Sequence, residues 1–236
     1  LEHAQRAAAG SQALREALAS RHGGLQGCLR IGVIPTALTR VAQFTAAFSR
    51  RHSGVRFEVL SLGTDDILAR LRAFELEVGL VYAASARQPD LLVQACAEEQ
   101  HVLLASAAGA LAERESISWR EAAGLHLCLL TRDMHNRRTI DGVFADLGCT
   151  PSVRLETNSI LCLLAHVCSG QWCSIVPRTV LEMVGTPAGV RALALVEPQL
   201  AWRIAVVAMA RVPQPPIVQG FIDEVVGQAG QAGVFD

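Results

Sequence analysis

The feature that most constrains the fold is a regular alternation of strand and helix signals that begins at Leu29. Three apolar or alternating runs predict strands at residues 29–34, 55–59 and 78–82. Between them, apolar residues at helical spacing predict two helices, the second of which can be capped by Gly63 or Thr64. Strand, helix and strand joined by short loops are the signature of a parallel α/β sheet.

The second half of the chain repeats this pattern and predicts a second α/β lobe. Its predicted strands are residues 101–105, 125–130, 153–155, 173–176, 190–193 and 202–210. Asn158 and Ser159 are predicted to cap a helix that ends at Cys168, and a last helix extends through Val226. With 236 residues, two lobes fit this order of elements better than one sheet. Ligands of such folds bind at the carboxyl ends of the strands.

Composition excludes several classes of protein. The formal net charge is −1, which argues against a nucleic-acid surface on this chain. The hydrophobic fraction of 51% is too high for a disordered chain. The seven cysteines are odd in number and form no CxxC pair, so they indicate a reducing, cytoplasmic environment. The uncharged stretch between Glu156 and Arg178 is long enough to cross a bilayer, but its polar residues favour a buried helix, turn and strand, so we predict no membrane association.

Motifs for catalysis and metal binding are sparse. The sequence contains no GxGxxG, GxxxxGK, HExxH or GxSxG, which lowers the expectation of an enzyme, although a Cys–His pair formed in space stays open. Cys162 and His166 are four residues apart on one helical face and could begin a zinc site. Cysteine in an apolar helix is more often a small buried side chain. We therefore predict no catalytic residues, no metal and no cofactor.

A dense polar cluster at residues 131–139 follows a predicted strand. In an α/β lobe this position faces ligands, and arginine is suited to bind anions. The alternative is a solvated loop and helix start, with Arg137 and Arg138 on the surface. Both interpretations stay open on the residues alone.

Four segments carry a resemblance to a known family over nearly the whole chain. They are residues 29–36 (LRIGVIPT), residues 44–55 with an F…V pattern, residues 71–80 ending in EVGL, and residues 169–177 (SGQWCSIVP). The last is similar to the family pattern G-x-G-I-A-L-L-P, with Trp172 in place of the second glycine. Together these segments resemble the effector-binding domain of LysR-type transcriptional regulators.

The resemblance implies an α/β fold like that of type II periplasmic binding proteins, with two Rossmann-like lobes, a ligand cleft and two crossovers. Lobe I would comprise residues 28–102 and 204–236, and lobe II residues 103–203. Residues 1–22 would be the end of a linker helix, and the winged helix-turn-helix domain would precede this chain. DNA would be bound only through that domain, and self-association as a dimer or tetramer is expected.

Within the family, residues 137–159 are most similar to the regulators associated with the cyanate operon and formate dehydrogenase. A small anionic effector such as formate or cyanate is implied. The resemblance carries the effector-binding role to eight residues: Thr36, Thr64, Thr131, His135, Asn136, Arg137, Asn158 and Ser174. Hydroxyls, amides and helix N-termini suit a small carboxylate, although helix capping is a common alternative role for threonine and serine.

Two other functions are weighed against this one. A solute-binding protein of a transport system shares the fold but requires an export signal, and none is recognisable at residues 1–22. A cysteine-dependent enzyme would require an activated thiol such as Cys128 or Cys173. A peroxide sensor of the same family is disfavoured, because no cysteine lies between Cys128 and Cys149.

Overall fold

The computed structural model describes residues 24–231, so the predicted linker helix at residues 1–22 lies outside the described residues. The strands described are Gln26–Val33 (β1), Gly54–Ser61 (β2), Val78–Tyr82 (β3), Leu91–Ser106 (β4), Ser116–Ser118 (β5), Leu127–Leu130 (β6), Val153–Thr157 (β7), Ser174–Pro177 (β8), Val190–Val196 (β9) and Ala201–Met209 (β10). The α-helices described are Leu38–Arg51 (α1), Thr64–Arg72 (α2), Trp119–Ala123 (α3), His135–Asp146 (α4), Ile160–Cys168 (α5), Arg178–Val184 (α6) and Pro216–Gln231 (α7). Short 3-10 helices at Pro35–Ala37 and Ala83–Ala86 follow β1 and β3.

The described residues form two compact units. Unit 1 comprises residues 24–98 and 203–231, and unit 2 comprises residues 99–202. The chain passes from one unit to the other within β4 and again within β10, so each of these strands supplies residues to both units.

Unit 1 is built on a mixed sheet with the strand order β2-β1-β3-β10-β4. β1 pairs in parallel with both β2 and β3, as the sequence pattern predicts, and β10 is antiparallel to β3. Aromatic packing joins α1 to α7, since the rings of Phe48 and Phe221 lie 5.5 Å apart in an edge-to-face arrangement.

Two strand glycines allow α2 to pack closely on this sheet. A Cβ atom at Gly32 would lie 3.0 Å from Ile67 of α2 and 2.6 Å from a methyl group of Leu76 in the segment after α2, and one at Gly79 would lie 2.6 Å from a methyl group of Ile67. These distances are below van der Waals contact. Glycine at these positions therefore fixes the close approach of α2, and hence the position of the helix start that carries Thr64.

An ion pair fastens β1 to the segment before β3. The Arg30 guanidinium donates to both carboxylate oxygens of Glu77, at 2.6 to 3.2 Å, and to the backbone carbonyl of Phe74. The Arg30 backbone N–H also donates to Glu77 at 2.7 Å. The hydrogen bonds that Arg30 donates to Glu77 raise the pKa of Arg30 above its ordinary value.

In unit 2, β4 lies between two antiparallel partners, β8 and β9, and β5 is parallel to β9. β6 and β7 form a parallel pair. Successive residues of β4 face opposite sides: Leu103 packs in a cluster with Trp119 and Phe144, whereas Leu104 packs in a second cluster with Leu163 and Val176. Unit 2 thus has a hydrophobic core on each face of β4.

The uncharged stretch between Glu156 and Arg178 contains the end of β7, α5 and β8, as the turn and polar residues predict. None of the helices described in residues 24–231 has the length and hydropathy that crossing a membrane requires.

Candidate functional site

Two predicted site residues lie at the carboxyl edge of the parallel strands of unit 1. Val33, the last residue of β1, is opposite Ser61 of β2 and Leu80 of β3. The segments that follow these strands therefore leave the sheet side by side. Because Thr36 follows β1 and Thr64 follows β2, the structure brings both residues to this edge.

Thr36 is buried, and its hydroxyl lies 3.3 Å from the phenol oxygen of Tyr82 at the end of β3. Either oxygen can donate this hydrogen bond. Since a hydroxyl can form up to three hydrogen bonds, Thr36 retains capacity for a ligand.

Thr64 is the first residue of α2, and it does not cap this helix. The N-cap is Gly63, which provides no side-chain hydrogen bond. Thr64 is only 1% exposed, and its hydroxyl has no hydrogen-bond partner among residues 24–231. An unpaired buried hydroxyl destabilises the folded chain, because it has lost its hydrogen bonds to water. The Thr64 hydroxyl can therefore bond a ligand without breaking a bond within the protein.

Thr131 occupies the corresponding position in unit 2, directly after β6. Its backbone N–H donates to the carbonyl of Thr157, and its carbonyl accepts from Met134 N–H, so the loop that enters α4 is fixed at both ends. The Thr131 side-chain oxygen is buried and has no hydrogen-bond partner in the described part of the chain. Thr64 and Thr131 therefore share one property: each places an unpaired hydroxyl at the carboxyl edge of a parallel strand pair.

The remaining residues carried over by the resemblance divide into two groups. Asn158 directly follows β7, next to the Thr131 loop, and is exposed, while Ser159 caps α5. Ser174 is fully buried at the start of β8, and its hydroxyl has no hydrogen-bond partner within residues 24–231. Because β8 runs parallel to β6 and begins level with Cys128, Ser174 is not at the strand end that carries Thr131.

The first turn of α4 holds the other three predicted residues in different environments. Arg137 is 1% exposed, which contradicts the surface position considered from sequence. Its guanidinium donates to Asp141 at 2.8 Å, to the carbonyl of Leu130 at 2.8 Å and to Glu156 at 2.7 Å. Burial lowers the pKa of Arg137, but these two carboxylates outweigh it and hold the pKa above its ordinary value. Arg137 therefore fastens α4 to β6 and β7.

Asn136 is buried, and its side-chain amide lies 2.6 Å from Nε2 of His101 on β4. His135, the first residue of α4, is half-buried, and its carbonyl accepts from the Thr139 hydroxyl at 3.0 Å. The structure thus places His135 close to the Thr131 loop and directs Asn136 toward the strands of unit 2.

His101 belongs to a buried polar cluster that the sequence did not indicate. The ring stacks edge-to-face on Trp202 at 4.5 Å, and Nε2 lies 3.6 Å from a carboxylate oxygen of Glu99. Burial lowers the pKa of His101 to about 3, so the ring is neutral at pH 7. Nδ1 of His101 has no hydrogen-bond partner within residues 24–231.

The thiols considered for an enzyme are not activated. Burial raises the pKa of the Cys128 thiol to about 11, and burial also raises the pKa of Cys173. A nucleophilic cysteine requires the opposite shift. The seven cysteines are free thiols, and the described residues contain no group of three or more His, Cys, Asp or Glu side chains that could hold a metal ion.

Two polar residues with unusual environments were missed from sequence. His101 lies in an apolar run that predicts only a strand, and nothing in that run signals a polar partner on α4. Arg40 lies one helical turn after Thr36, and this i, i+4 spacing from a predicted site residue is the signal that could have found it. The Nε atom of Arg40 is buried without a partner among the described residues.

Comparison with known proteins identifies the family to which the chain belongs. The pattern of the LysR substrate binding domain matches residues 22–230. The chain belongs to this family. The LysR substrate-binding domain is a regulatory and not a catalytic module, which confirms the prediction that the chain is not an enzyme.

One curated relative of this LysR domain is the uncharacterized HTH-type transcriptional regulator YybE of Bacillus subtilis (strain 168), 26% identical over 153 residues. The alignment covers 64% of this chain and 52% of YybE, so the chain spans about half the length of that relative.

Solved structures show the same fold. The effector-binding domain of QuiR in complex with shikimate has a TM-score of 0.77 at 18% identity, covering 87% of this chain and 98% of that chain. The CcmR regulatory domain of Synechocystis PCC6803 in complex with 2-PG also has a TM-score of 0.77, at 21% identity, covering 86% and 97%. Full-length CbnR complexed with target DNA has a TM-score of 0.78 at 19% identity, covering 97% and 79%. These matches confirm the predicted α/β, periplasmic-binding-protein-like fold.

Proposed function

We propose that this LysR substrate-binding domain senses a small anionic effector and thereby controls DNA binding and transcription by a longer regulator. The observation that carries the proposal is the pair of unpaired, buried hydroxyls of Thr64 and Thr131. Native proteins rarely leave such groups without a partner. A ligand that hydrogen-bonds to such a hydroxyl would supply the partner that residues 24–231 do not.

Helix termini favour an anionic effector. The N-cap residue of α4, Met134, makes no side-chain hydrogen bond to the helix start. Backbone N–H groups in the first turn are thus left for a ligand, and the helix dipole favours negative charge there. In α4 no acidic residue occupies the first turn, so Thr131, His135 and these N–H groups suit a small carboxylate.

The proposed effector contacts are the residues carried over from the family, and they are grouped here by their surroundings in the structure. Thr36, Thr64 and Thr131 offer hydroxyls, and His135 and Asn158 lie beside the Thr131 loop. Asn136 and Arg137 make hydrogen bonds within the protein, Ser174 is fully buried, and all three would hold this framework in place. Formate or cyanate is the effector that the sequence resemblance suggests, and the shikimate and 2-PG complexes of QuiR and CcmR support a small-molecule ligand in general.

The partners of the whole protein are part of the same proposal. DNA would be bound through a helix-turn-helix domain outside this chain, and CbnR, a similar fold, has been solved on its target DNA. We further propose self-association as a dimer or tetramer and a cytoplasmic location. The function needs no cofactor or metal.

The effector is tested by titration. Formate, cyanate, succinate and shikimate are added to the purified domain, with binding measured by calorimetry and thermal shift. Few contacts limit the affinity of so small a ligand, so dissociation constants in the micromolar to millimolar range are expected. If none of these anions gives heat or a thermal shift, the small-anion proposal is wrong, whereas the family assignment stands.

The site is tested by removing single hydroxyls with an isosteric residue. Thr64→Val and Thr131→Val should each weaken anion binding, while leaving the free energy of unfolding unchanged or raising it by about 1 kcal/mol, because neither hydroxyl has a partner to lose. Thr139→Val is the matched control, since it deletes a hydroxyl that bonds the His135 carbonyl. This control should keep both stability and binding, because its hydroxyl bonds a carbonyl of its own helix. The reverse pattern would place the site elsewhere.

A further inference from the structure

We propose that Arg40 makes the effector site selective for a ligand that carries a negative charge, because its guanidinium binds the charged group of the ligand. The proposal rests on the proposed effector-binding function. It adds a specificity-determining residue and the charge arrangement that the ligand must have.

Arg40 is a cation without a counter-ion. It is half-buried in the first turn of α1, its Nε atom is buried without a hydrogen bond, and no acidic residue shares that turn. By contrast, Arg30 and Arg72 in the same unit each form a close pair with a carboxylate, at 2.6 and 2.7 Å. Across residues 24–231, no carboxylate lies within ion-pair distance of Arg40, so its fork of donors is left for a ligand.

Arg40 lies one helical turn after Thr36, and therefore at the same edge. Burial raises the pKa of the Cys96 thiol to about 12, and the positive charge of Arg40 opposes this rise, so Arg40 is within electrostatic range of Cys96. Cys96 in turn donates to the carbonyl of Ile204, which pairs in register with Tyr82. Tyr82 is the residue whose phenol oxygen contacts the Thr36 hydroxyl.

Two further unpaired groups lie at the helix starts that leave this edge. Among the described residues, neither the buried Thr39 hydroxyl, next to Arg40, nor the buried hydroxyl of Thr64 at the start of α2 has a hydrogen-bond partner. The N-cap of α1, Ala37, makes no side-chain hydrogen bond. An anionic group at α1 would thus meet a guanidinium, a hydroxyl and orphan backbone N–H groups.

The start of α2 has the opposite charge. Asp65 and Asp66 occupy its first turn, so a second negative group would be repelled there. Thr64, a neutral donor and acceptor, is the side chain available at that end. The arrangement favours a ligand with one carboxylate or phosphate group directed to Arg40 and hydroxyl groups directed to Thr64.

The test compares matched charged and neutral probes. Acetate, shikimate, the methyl ester of shikimate and inorganic phosphate are titrated into the purified chain and into Arg40→Gln, Arg40→Lys and Arg50→Gln. Arg50 is an exposed arginine in the last turn of the same helix and serves as the control for charge removal. We expect at least one anion to bind, its ester to bind tenfold more weakly or not at all, Arg40→Gln to lose tenfold or more, and Arg50→Gln to match the wild type.

Arg40→Lys separates charge from geometry. It should retain part of the affinity, because an ammonium keeps the charge but lacks the bidentate fork. Comparison of acetate and phosphate then identifies which anionic group is preferred. Anion binding that is equal in the wild type and Arg40→Gln would overturn the inference, and so would equal binding of shikimate and its ester; in both cases the effector-binding function would stand.

A spectroscopic measurement keeps the inference testable if Arg40→Gln fails to fold. The Nε–H resonance of Arg40 is identified by its absence in Arg40→Lys, and shikimate or phosphate is then added to the wild-type chain. A shift of this resonance that saturates with the probe supports a direct contact. An unchanged resonance alongside calorimetric binding, or no binding of any of the three anions, would overturn the inference.

Discussion

Burial of His101 makes stability depend on pH at the scale of a single residue. The pKa of His101 falls from 6.5 to about 3 because the ring is buried. Between these values the unfolded chain binds a proton that the folded chain does not. The resulting contribution to the free energy of unfolding is complete above pH 6.5 and decreases as the pH falls toward 3. From pH 7 to pH 5 the loss should be about 2 kcal/mol.

Urea unfolding followed by tryptophan fluorescence at pH 7 and pH 5 measures this loss. His101→Gln should reduce the difference between the two pH values, because the titrating group is gone. His126→Gln is the control, since His126 is exposed and its removal should leave the difference unchanged. An identical pH dependence in all three proteins would show that His101 is not buried and neutral.

Arg137 was expected to bind the effector, and its contacts predict a different phenotype. Arg137→Met would remove the donor to the Leu130 carbonyl and to Glu156, which would keep only Arg132 at 3.8 Å. Since Glu156 is 41% exposed at its side chain and can be hydrated, we expect a loss of about 2 kcal/mol, below the usual cost of breaking a fully buried pair. Chemical denaturation of Arg137→Met and of the exposed neighbour Arg138→Met measures it.

The binding measurement separates the two roles of Arg137. At a temperature where Arg137→Met is folded, its affinity for formate or shikimate should stay within about threefold of the wild type. An affinity loss of a hundredfold without a stability loss would instead restore Arg137 to the list of direct effector contacts.

At the scale of the element, the start of α5 is set by a local sequence signal. The Ser159 hydroxyl accepts from the backbone N–H of Cys162 and caps the helix, as the sequence predicts. Ser159→Ala should lower the free energy of unfolding by about 1 kcal/mol. Ser159→Asp, which can also cap and suits the helix N-terminus, should retain stability, and equal losses in both variants would mean that the cap is not formed.

The elements predicted from sequence are those with a local signal. The parallel strands β1, β2 and β3 were identified because apolar runs and turn residues are encoded along the chain. β4 was predicted only from residue 101, yet it begins at Leu91, because Gln94 and Glu98 interrupt its apolar pattern. The short elements β5 and α3 were missed, since the capping box of Ser118 and Glu121 encloses only five helical residues.

The candidate site follows the same division between local and long-range information. Thr64 and Thr131 were found because they follow predicted strands. That their hydroxyls lack partners depends on packing by distant residues, which no spacing encodes. The pairing of Asn136 with His101 spans 35 residues. The Arg40 guanidinium lacks an ion pair because no carboxylate of the described residues lies near it, which depends on the whole fold. Sequence reasoning could identify the loops but not the state of the side chains in them.

At the scale of the whole molecule, the continuity of β4 and β10 predicts cooperative unfolding. Each strand supplies residues to unit 1 and to unit 2, so loss of either unit removes a hydrogen-bonded strand from the other. Cys96 in unit 1 and Cys128 in unit 2 report on this, because both thiols are buried, at 3% and 0% exposure. Burial also raises the pKa values of both thiols, to about 12 and about 11, which suppresses their reaction in the folded chain.

Brief labelling with N-ethylmaleimide at increasing urea concentration, read by mass spectrometry of the separated peptides, tests this cooperativity. We expect Cys96 and Cys128 to become reactive at the same urea concentration. Cys168 is exposed and should react at every concentration, which controls for the rate of the reagent. Two separate midpoints would show that the units unfold independently. In that case β4 and β10 would not stabilise the unit that unfolds first. The same labelling in the presence of an effector should move both midpoints together, because a ligand stabilises every element that unfolds in the same transition.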